Sequence, residues 1–467
     1  MSVPSIIYAV FLISLVYFAV LLVFYLFLVL VGSFEGIRRT SQGEGEDYPL
    51  FYLSTLKLSV SIIMPARNEE EWISDSLKSL INLNYPNFEI IIVNDGSTDK
   101  TLERLNDLLD LKPFDLMYVR RYKDGKVRGI LRSEKYPNIT VMDKESGNKK
   151  GGAVNAGLNI ARYDYICVID ADTILERDSL LKVMAQVDRD PDKIIGAGSY
   201  FGLVNGCKIK DGMVTEYSFS YKPVIAYQNI EYLRSLIGNR LAWSRYNAMP
   251  NVAGGFGVWR KDILYELGGF SIDFTCEDIE FTFRAHDYIA RHKEKGYKIL
   301  MLPYRAGWTE GPSNIKSLIL QRNRWQRVVD ETVWKYKYMM LNPRYGFFAF
   351  LTMPYFLLYE VLGVFMEAIS LAFVTAGWIM GVLKINIFFA YLCFMLLSQA
   401  FSSLLCILSF VEVQRLFRIK YIMYLVALTL VEFFWYRWFI SAAKFMGTFD
   451  FLRQKRTFDM YVRSKRA

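Results

Sequence analysis

Two acidic residues follow an apolar run near the middle of the chain. Asp170 and Asp172 come directly after Tyr165–Ile169, and side chains at positions i and i+2 of an extended segment point to the same side. Both carboxylates can therefore reach one hard cation, and Mg²⁺ typically takes one or two carboxylates together with phosphate oxygens. An Asp-x-Asp pair alone is usually a coincidence. At the carboxyl end of an apolar strand, it predicts a site for a divalent metal and a diphosphate.

A second acidic pair and a basic loop are further candidates. Glu277 and Asp278 begin a helical stretch, where acidic residues also stabilise the helix dipole. Lys150 lies in Asn148-Lys149-Lys150-Gly151-Gly152, just before a helix predicted from Ala153, and such a loop can approach an anion closely. A helix cap and a solvated basic loop are the structural alternatives for these two segments.

Asp95 stands in Asn94-Asp95-Gly96-Ser97, directly after the apolar run Phe88–Val93. Parallel sheets bind ligands beyond the carboxyl ends of their strands, so this carboxylate lies where a ligand would be. The same four residues also form ordinary turns and helix caps. The sequence leaves both interpretations open.

A basic and aromatic motif, Gln321-Arg322-Asn323-Arg324-Trp325, lies within a predicted helix over Ile315–Val333. Arginine can clamp a diphosphate through two parallel hydrogen bonds, and tryptophan offers a flat face to a sugar ring. An amphipathic surface helix with a basic face would have a similar sequence.

Alternating strands and helices must position these side chains. Leu58–Met64 and Phe88–Val93 are continuous apolar runs, and each is followed by a segment with helical spacing of apolar residues. Apolar strands joined by helices predict a parallel sheet covered on both faces, which is an α/β fold. Met117–Arg121 and Val127–Arg132 are predicted to form a hairpin insertion around Lys123–Lys126.

Apolar segments at both ends of the chain predict membrane-spanning helices. Ile6–Val31 is long enough to cross a bilayer, and Arg38 and Arg39 after it place the next segment in the cytoplasm. Three more apolar regions are Phe347–Leu383, Ile385–Val411 and Tyr421 to about Ala443. The first of them is long for one span and short for two, so the sequence predicts four or five spans. Glu432 and Arg437 are predicted to pair, to face a pore, or to snorkel near a helix end.

The composition excludes several classes of protein. The 467 residues contain two histidines and five scattered cysteines, so a histidine-based metal site, a Ser-His-Asp triad and a disulfide framework are not indicated. The net charge is +9, but no basic stripe with interleaved aromatics stands out in the soluble part, which argues against nucleic-acid binding. We interpret the excess of basic residues as membrane topology and contact with anionic lipid.

Taken together and in order, five motifs resemble those of the processive family 2 glycosyltransferases, the group that includes cellulose, chitin, hyaluronan and poly-N-acetylglucosamine synthases. The resemblance covers about Val60–Gly346, and the flanking membrane segments match in kind. The most specific element is Gln-x-x-Arg-Trp, because its distance from the Glu-Asp pair and from the membrane segments also fits. The five motifs are Pro65-Ala66-Arg67-Asn68-Glu69, Asn94-Asp95-Gly96, Asp170-Ala171-Asp172, Cys276-Glu277-Asp278 and Gln321-Arg322-Asn323-Arg324-Trp325.

This resemblance implies a GT-A (Rossmann-like) fold, a UDP-sugar donor, Mg²⁺ or Mn²⁺, and an inverting single displacement. It implies that Asp170 binds the diphosphate, that Asp172 binds the metal with it, and that Asp278 is the general base, with Glu277 beside it at the substrate. Residues that would hold the nucleotide are Ala66, Glu69, Asp95 and Lys150. Gln321 and Arg324 would contact the donor diphosphate, and Trp325 would stack on the acceptor sugar.

The implied organisation has four parts: a transmembrane helix at 1–34, a cytoplasmic catalytic domain at 57–346, transmembrane or interfacial helices at 347–445, and a basic cytoplasmic tail at 446–467. Two residues depart from the family pattern. Cys276 stands where threonine is usual, and Arg67 stands where an aromatic residue is common. Both departures affect fine contacts to the donor, and neither removes an expected carboxylate.

The expected function is elongation of a β-linked polysaccharide at the cytoplasmic face of the cell membrane and its export, with room for accessory or export subunits. The alternative is transfer of one sugar to a membrane lipid, as ceramide glucosyltransferases with a related Arg-Trp motif do. A third class, a transporter or structural protein that only binds nucleotide, is disfavoured by the complete acidic set.

Overall fold

A computed structural model describes residues 2–54, 58–123, 125–147, 149–409 and 418–454. The chain forms two units. The helix unit comprises residues up to Ile37, Ser220–Tyr246 and residues from Pro312 onward. The sheet unit comprises Arg38–Phe219 and Asn247–Gly311.

The strands all lie in the sheet unit. They are β1 (Val60–Ala66), β2 (Phe88–Asp95), β3 (Leu111–Pro113), β4 (Val127–Ser133), β5 (Ile139–Lys144), β6 (Tyr165–Ile169), β7 (Ile174–Leu175), β8 (Ile194–Leu203), β9 (Lys208–Lys210), β10 (Met213–Glu216), β11 (Phe256–Arg260) and β12 (Lys298–Thr309).

The helices, in chain order, are α1 (Val3–Glu44), α2 (Tyr48–Ser54), α3 (Ile73–Ile81), α4 (Thr101–Leu109), α5 (Lys150–Ile160), α6 (Ser179–Asp188), α7 (Pro223–Ser235), α8 (Leu241–Arg245), α9 (Lys261–Glu266), α10 (Glu277–Arg291), α11 (Ile315–Lys335), α12 (Phe348–Ile379), α13 (Ile385–Ser409), α14 (Ile419–Phe434) and α15 (Tyr436–Leu452).

Ten of the strands form one mixed sheet, in the order β3-β4-β5-β2-β1-β6-β11-β8-β12-β7. The centre is parallel, because β5, β2, β1 and β6 all run in the same direction. β11 is antiparallel to both of its neighbours, and β3, β4 and β7 are antiparallel additions towards the edges. The predicted parallel sheet is therefore correct for its centre, and the whole is an α/β sheet of mixed direction.

The two faces of the parallel centre are both covered, which explains the unbroken apolar runs of its strands. Ile62 and Ile90 belong to one buried cluster with residues of α3 and α4. On the other face, a Cβ at Gly157 of α5 would lie 2.6 Å from Ile63 Cγ2. Each fully buried aliphatic side chain contributes about 1.5–3 kcal/mol.

The hairpin predicted between Met117–Arg121 and Val127–Arg132 is wrong. β4 (Val127–Ser133) pairs with β3 and with β5, whereas residues 117–121 form no strand. Met117 and Val119 are exposed, so this apolar alternation does not mark a buried face. The helix predicted from Ala153 also begins earlier, at Lys150.

The helix unit contains long apolar helices. Within the described residues, α1, α12 and α13 are each long and apolar enough to cross a membrane, and α14 with α15 would make a fourth span if this pair, bent by 56°, crosses as one. The span predicted over Ile6–Val31 lies within α1, and the span predicted over Ile385–Val411 agrees with α13 as far as Ser409, since residues 410 and 411 lie outside the described residues. The region Phe347–Leu383 contains one helix and no hairpin, so the described residues support four spans at most.

Glu432 and Arg437 are each paired, but they do not pair with each other, which was one of the alternatives from the sequence. Glu432 pairs with Arg234 at 2.8 Å, and Arg437 pairs with Glu367. Lys444 and Glu360 form another pair at 2.7 Å. Isolated charges inside a membrane are costly, and pairing between helices lowers that cost.

Candidate active site

The candidate site in the sheet unit forms at the carboxyl ends of three parallel strands. Ala66 ends β1, Asp95 ends β2, and Asp170 directly follows β6. Because β2, β1 and β6 are adjacent and parallel, these ends lie at one edge of the sheet. This is the edge at which α/β sheets bind ligands.

The loops after β1 and β2 are joined by hydrogen bonds. The amide of Asn68 donates to Ser97 Oγ at 3.0 Å, and Asn68 Oδ1 accepts from the amide of Thr98 at 2.8 Å. The amide of Glu69 donates to Thr101 Oγ1 at 2.8 Å. Asn68 adopts a left-handed backbone (φ 57°), which asparagine tolerates better than most residues. The two loops beside Glu69 and Asp95 are therefore bonded to each other at one border of the site.

Asp95 is buried and forms an ion pair with Lys144 at the end of β5. Its Oδ1 also accepts from the amide of Gly147 at 3.0 Å, and Lys144 Nζ donates to the carbonyl of Glu145 at 2.8 Å. Lys144 is only 1% exposed. The Asp95 carboxylate thus binds both the end of β5 and the amide of Gly147 beyond it.

Lys150 joins two acidic segments that are far apart in sequence. Its ammonium lies 2.5 Å from Asp170 Oδ1 and 2.9 Å from Glu277 Oε1, and it donates to the carbonyl of Gly254 at 3.2 Å. Lys150 begins α5, Asp170 follows β6 and Glu277 begins α10. Three separate elements therefore converge on one ammonium group.

The charges of this cluster shift its pKa values. Desolvation lowers the pKa of Lys150, but Asp170, Glu277 and Asp278 outweigh that effect and raise it well above its ordinary value. The pKa of Asp170 is raised to about 6, because desolvation and the nearby Asp172 outweigh the attraction of Lys150. Lys150 stays protonated at neutral pH, and it compensates the negative charge of the site.

Asp278 lies beside this cluster in the first turn of α10. Its Oδ2 accepts from the amide of Gly254 at 2.8 Å, and its Oδ1 accepts from the amide of Ile279 at 2.7 Å. A Cβ at Gly254 would lie 2.8 Å from Lys150 Nζ and 3.3 Å from Asp278 Oδ2. The backbone approaches the charged groups so closely that a side chain at this position would displace them.

Asp170 and Asp172 fit a divalent cation of the kind that shares its coordination with a substrate. The side chain of Asp170 is 41% exposed, whereas Asp172 is mostly buried. Among the residues that the structure describes, no three His, Cys, Asp or Glu side chains are grouped to hold a metal. Two carboxylates are enough for Mg²⁺ or Mn²⁺ when phosphate oxygens and water supply the other positions.

The Gln321-to-Trp325 motif lies on α11, in the helix unit. Arg322 forms an ion pair with Glu231 of α7, and it donates to Gln321 Oε1 at 2.7 Å. The Arg322 guanidinium lies 4.1 Å from the centre of the Trp325 ring. Trp325 is 40% exposed, so one face of its ring is covered by Arg322 while part of the indole remains accessible.

Of the predicted residues, the structure brings Lys150, Asp170, Glu277 and Asp278 together, and it places Ala66 and Asp95 on the same edge of the sheet. It places Gln321, Arg324 and Trp325 on one helix of the other unit. Sequence reasoning missed Lys144. The only available signal was a lysine at the end of a strand, which does not reveal a partner 49 positions away.

Two family models match this chain. Glycosyl transferase family 2 matches residues 61–229, and glycosyl transferase family group 2 matches residues 165–436, which is more than half of the chain. The chain belongs to glycosyl transferase family group 2. The resemblance found in the sequence motifs is confirmed.

Curated relatives agree with this family. The chain is 28% identical over 279 residues to the probable glycosyltransferase YdaM of Bacillus subtilis, covering 59% of this chain and 56% of the relative. It is 27% identical over 267 residues to a poly-beta-1,6-N-acetyl-D-glucosamine synthase of Staphylococcus epidermidis, covering 57% of this chain and 53% of that protein. The chain thus spans about half the length of the curated relatives it matches.

A solved structure shows the same fold. A mannosyltransferase from Pyrobaculum calidifontis, determined in complex with GDP-Man and Mn²⁺, superposes with a TM-score of 0.55 at 16% identity, covering 91% of this chain and all of that one. The GT-A fold and the apolar helices predicted from the sequence are confirmed.

Proposed function

We propose that this glycosyltransferase adds sugars from a UDP-sugar to the end of a growing β-linked polysaccharide, with inversion at the anomeric carbon. The observation that carries this proposal is the cluster in which Lys150 joins Asp170, after β6, to Glu277, at the start of α10. It sets a site suited to a diphosphate next to a carboxylate suited to be a base. The name of the Staphylococcus epidermidis relative supports a polymer of N-acetylglucosamine as the product.

Asp278 is the general base in this proposal. An acceptor hydroxyl attacks the anomeric carbon on the face opposite UDP, its proton passes to the Asp278 carboxylate, and the bond between that carbon and UDP breaks with its electron pair on the diphosphate. Each oxygen of Asp278 accepts one backbone hydrogen bond. These bonds fix the orientation of the carboxylate, and a positioned base contributes about 10²- to 10⁴-fold to such a reaction.

The donor is held by the sheet edge. In this proposal Ala66, Glu69 and Asp95 border the nucleotide, and Lys150 and Asp170 face the diphosphate. A divalent cation held by Asp170 and Asp172 together with phosphate oxygens would neutralise charge on the departing UDP. The roles of Gln321 and Arg324 on the diphosphate and of Trp325 on the acceptor sugar remain predictions from the motif.

We further propose that residues 57–346 form the catalytic region at the cytoplasmic face of the cell membrane and that the apolar helices carry the polymer across. Three helices that could span a membrane support a membrane location. Arg38 and Arg39, which follow the apolar run within α1, support the cytoplasmic side.

The test measures UDP release by purified full-length protein with a panel of UDP-sugars and Mg²⁺ or Mn²⁺, followed by sizing and glycosidase digestion of the product. We expect UDP release with one preferred donor, loss of activity with EDTA, and a high-mass product. Asp278→Asn should lower kcat by about 10²-fold or more. The matched control is Asp287→Asn in the same helix, whose carboxylate pairs with Arg291.

The outcomes separate the alternatives. A single glycolipid band without high-mass polymer would replace the proposed product by a lipid-linked sugar. Full activity of Asp278→Asn would remove that residue from the reaction. Absence of UDP release with every donor would contradict the UDP-sugar proposal.

A further inference from the structure

One face of α10 is bonded to a neighbouring stretch of chain, Met249–Gly254. The three side chains involved are Asp278, Thr282 and His286, which are spaced four residues apart and so lie on the same face of the helix. Their partners are Gly254, Val252 and Met249, in the reverse order. The segment therefore runs antiparallel to the helix and is bonded to it at three successive turns.

The three bonds use each side chain differently. Asp278 Oδ2 accepts from the amide of Gly254 at 2.8 Å, and Thr282 Oγ1 accepts from the amide of Val252 at 3.2 Å. His286 Nε2 lies 2.7 Å from the carbonyl oxygen of Met249, so this nitrogen carries the proton and donates it. The Thr282 hydroxyl donates to the carbonyl of Asp278 at 2.8 Å, which turns its lone pair towards Val252.

The surroundings make these bonds difficult to replace. Thr282 and Met249 are fully buried, Val252 is 1% exposed and His286 is 4% exposed, so water cannot take the place of a lost partner. Burial also lowers the pKa of His286 to about 4, and the imidazole is neutral at neutral pH. The neutral ring carries one N–H, and its position on Nε2 allows it to donate to the Met249 carbonyl.

We propose that Thr282 and His286 are positioning residues that fix the reacting carboxylate of Asp278. The inference rests on the proposed role of Asp278 as the base. The helix can neither rotate nor slide relative to Met249–Gly254 without breaking bonds at three turns, so Gly254 keeps its amide on Asp278. The carbonyl of Gly254 also accepts a hydrogen bond from Lys150. The segment Met249–Gly254 thereby links Asp278 to the cluster around Asp170.

The test compares variants that remove a bond with variants that keep it. Thr282→Val and His286→Leu remove the acceptor and the donor, whereas Thr282→Ser and His286→Gln retain them. Ser133→Ala is the control. Ser133 lies on β4, far along the sheet order from β11, and its buried hydroxyl donates to the carbonyl of Leu109 at the end of α4. Each purified full-length variant is measured for melting temperature, kcat, KM for the UDP-sugar, and amide hydrogen exchange in residues 249–254.

We expect Thr282→Val and His286→Leu to lower kcat by about 10- to 100-fold, since a small displacement of a reacting group has effects of this size, and to leave KM within about twofold. Exchange at the amides of Val252 and Gly254 should accelerate, and Thr282→Ser and His286→Gln should restore both readouts. The inference is overturned if the folded variants keep the wild-type kcat and differ only in melting temperature, as expected of Ser133→Ala.

The exchange measurement separates this inference from the proposed function. If the wild type releases no UDP from any donor, the proposed function fails, and unchanged exchange in Thr282→Val and His286→Leu would then overturn the positioning role independently. If the wild type is active and Asp278→Asn is inactive, the kcat values of the Thr282 and His286 variants decide whether these two residues position the base.

Discussion

At the scale of single residues, the buried pair of Lys144 and Asp95 offers a direct measure of how the site is held. Both side chains are almost completely buried, at 2% and 6% exposure. Lys144→Met leaves the Asp95 carboxylate buried without its cation, and breaking a buried pair from one side costs about 3–5 kcal/mol. We expect unfolding in detergent at a markedly lower temperature or denaturant concentration.

An exposed ion pair that includes the next residue, Glu145, provides the control. Lys126 and Glu145 are 2.9 Å apart, but their side chains are 77% and 48% exposed. Lys126→Met should leave the unfolding midpoint unchanged within error, because water screens such pairs. Equal effects of Lys144→Met and Lys126→Met would contradict the importance of the buried pair.

A substitution at Gly254, beside Lys150, Glu277 and Asp278, tests an effect on the reaction apart from an effect on stability. At Gly254→Ala, the new methyl group would displace the ends of Lys150, Glu277 and Asp278, all within 3.3 Å of it. Such flexible ends can move, so we expect a folded protein with a similar melting temperature. The displaced groups are those proposed to act in the reaction, so kcat for UDP release should fall by about 10²-fold.

The control for this prediction is Gly129→Ala on β4, where nothing lies within 4 Å of the added Cβ. It should leave kcat unchanged. A Gly254→Ala variant with wild-type kcat would show that the close approach of the backbone does not matter for the reaction.

The candidate site was only partly predictable at this scale. Asp95, Asp170 and Asp278 could be found because each follows an apolar strand or begins a helix, and those positions are visible in one sequence. Lys144 and His286 could not, since each acts through a partner 37 or more positions away and has no local motif. Long-range pairing of this kind depends on the folded chain.

At the scale of elements, the order of strands and helices in the parallel centre could be read from the sequence, because apolar runs and helical spacing are local signals. The direction of β11 and β8 could not. Nothing in the residues of these two strands indicates whether a neighbour runs parallel or antiparallel. The error at Met117–Arg121 has a related cause: alternation of apolar and polar residues is typical of a strand, but a strand also needs a partner.

The contact of α5 with β1 and β2 yields a prediction about packing. A Cβ at Gly157 would lie 2.6 Å from Ile63 Cγ2 and 3.2 Å from Val93 Cγ2, both in the fully buried core. Gly157→Ala should therefore destabilise the protein by about 1–3 kcal/mol through overpacking, in spite of alanine's better helix propensity. Chemical unfolding of the purified protein measures this difference.

The same helix supplies the control. A Cβ at Gly152 would lie 3.7 Å from Ile272 Cγ2, which is an ordinary contact. Gly152→Ala gains the same helix propensity without the clash, so its stability should equal or exceed that of the wild type. If Gly157→Ala were as stable as Gly152→Ala, the close packing of α5 on the sheet would be refuted.

At the scale of the whole molecule, the single helix α12 changes what the charges imply about membrane topology. If Arg38 and Arg39 keep the sheet unit in the cytoplasm, α12 leads outward and α13 leads back. Arg418 and Lys420, at the start of α14, then face the cytoplasm.

The bent pair α14 and α15 decides where the basic residues after Asp450 lie. These are Arg453, Lys455, Arg456, Arg463, Lys465 and Arg466, of which those from Lys455 onward lie outside the described residues. A complete fourth crossing would place all six outside, against the positive-inside rule. The 56° bend at Glu432–Trp435 allows a different path, in which the pair enters the membrane and does not cross it.

We therefore predict three complete spans and a cytoplasmic location for the residues after α15. Fusions expressed in a bacterial host test this: alkaline phosphatase joined after Gly381, between α12 and α13, should be active, and green fluorescent protein joined after Ala467 should fluoresce. The fusion after Gly381 is outside whether α14 and α15 cross or not, so it controls for insertion of α12. Active phosphatase and absent fluorescence after Ala467 would mean that the bent pair crosses as a fourth span, with its six basic residues outside and the charge rule overridden by the packing of the helices.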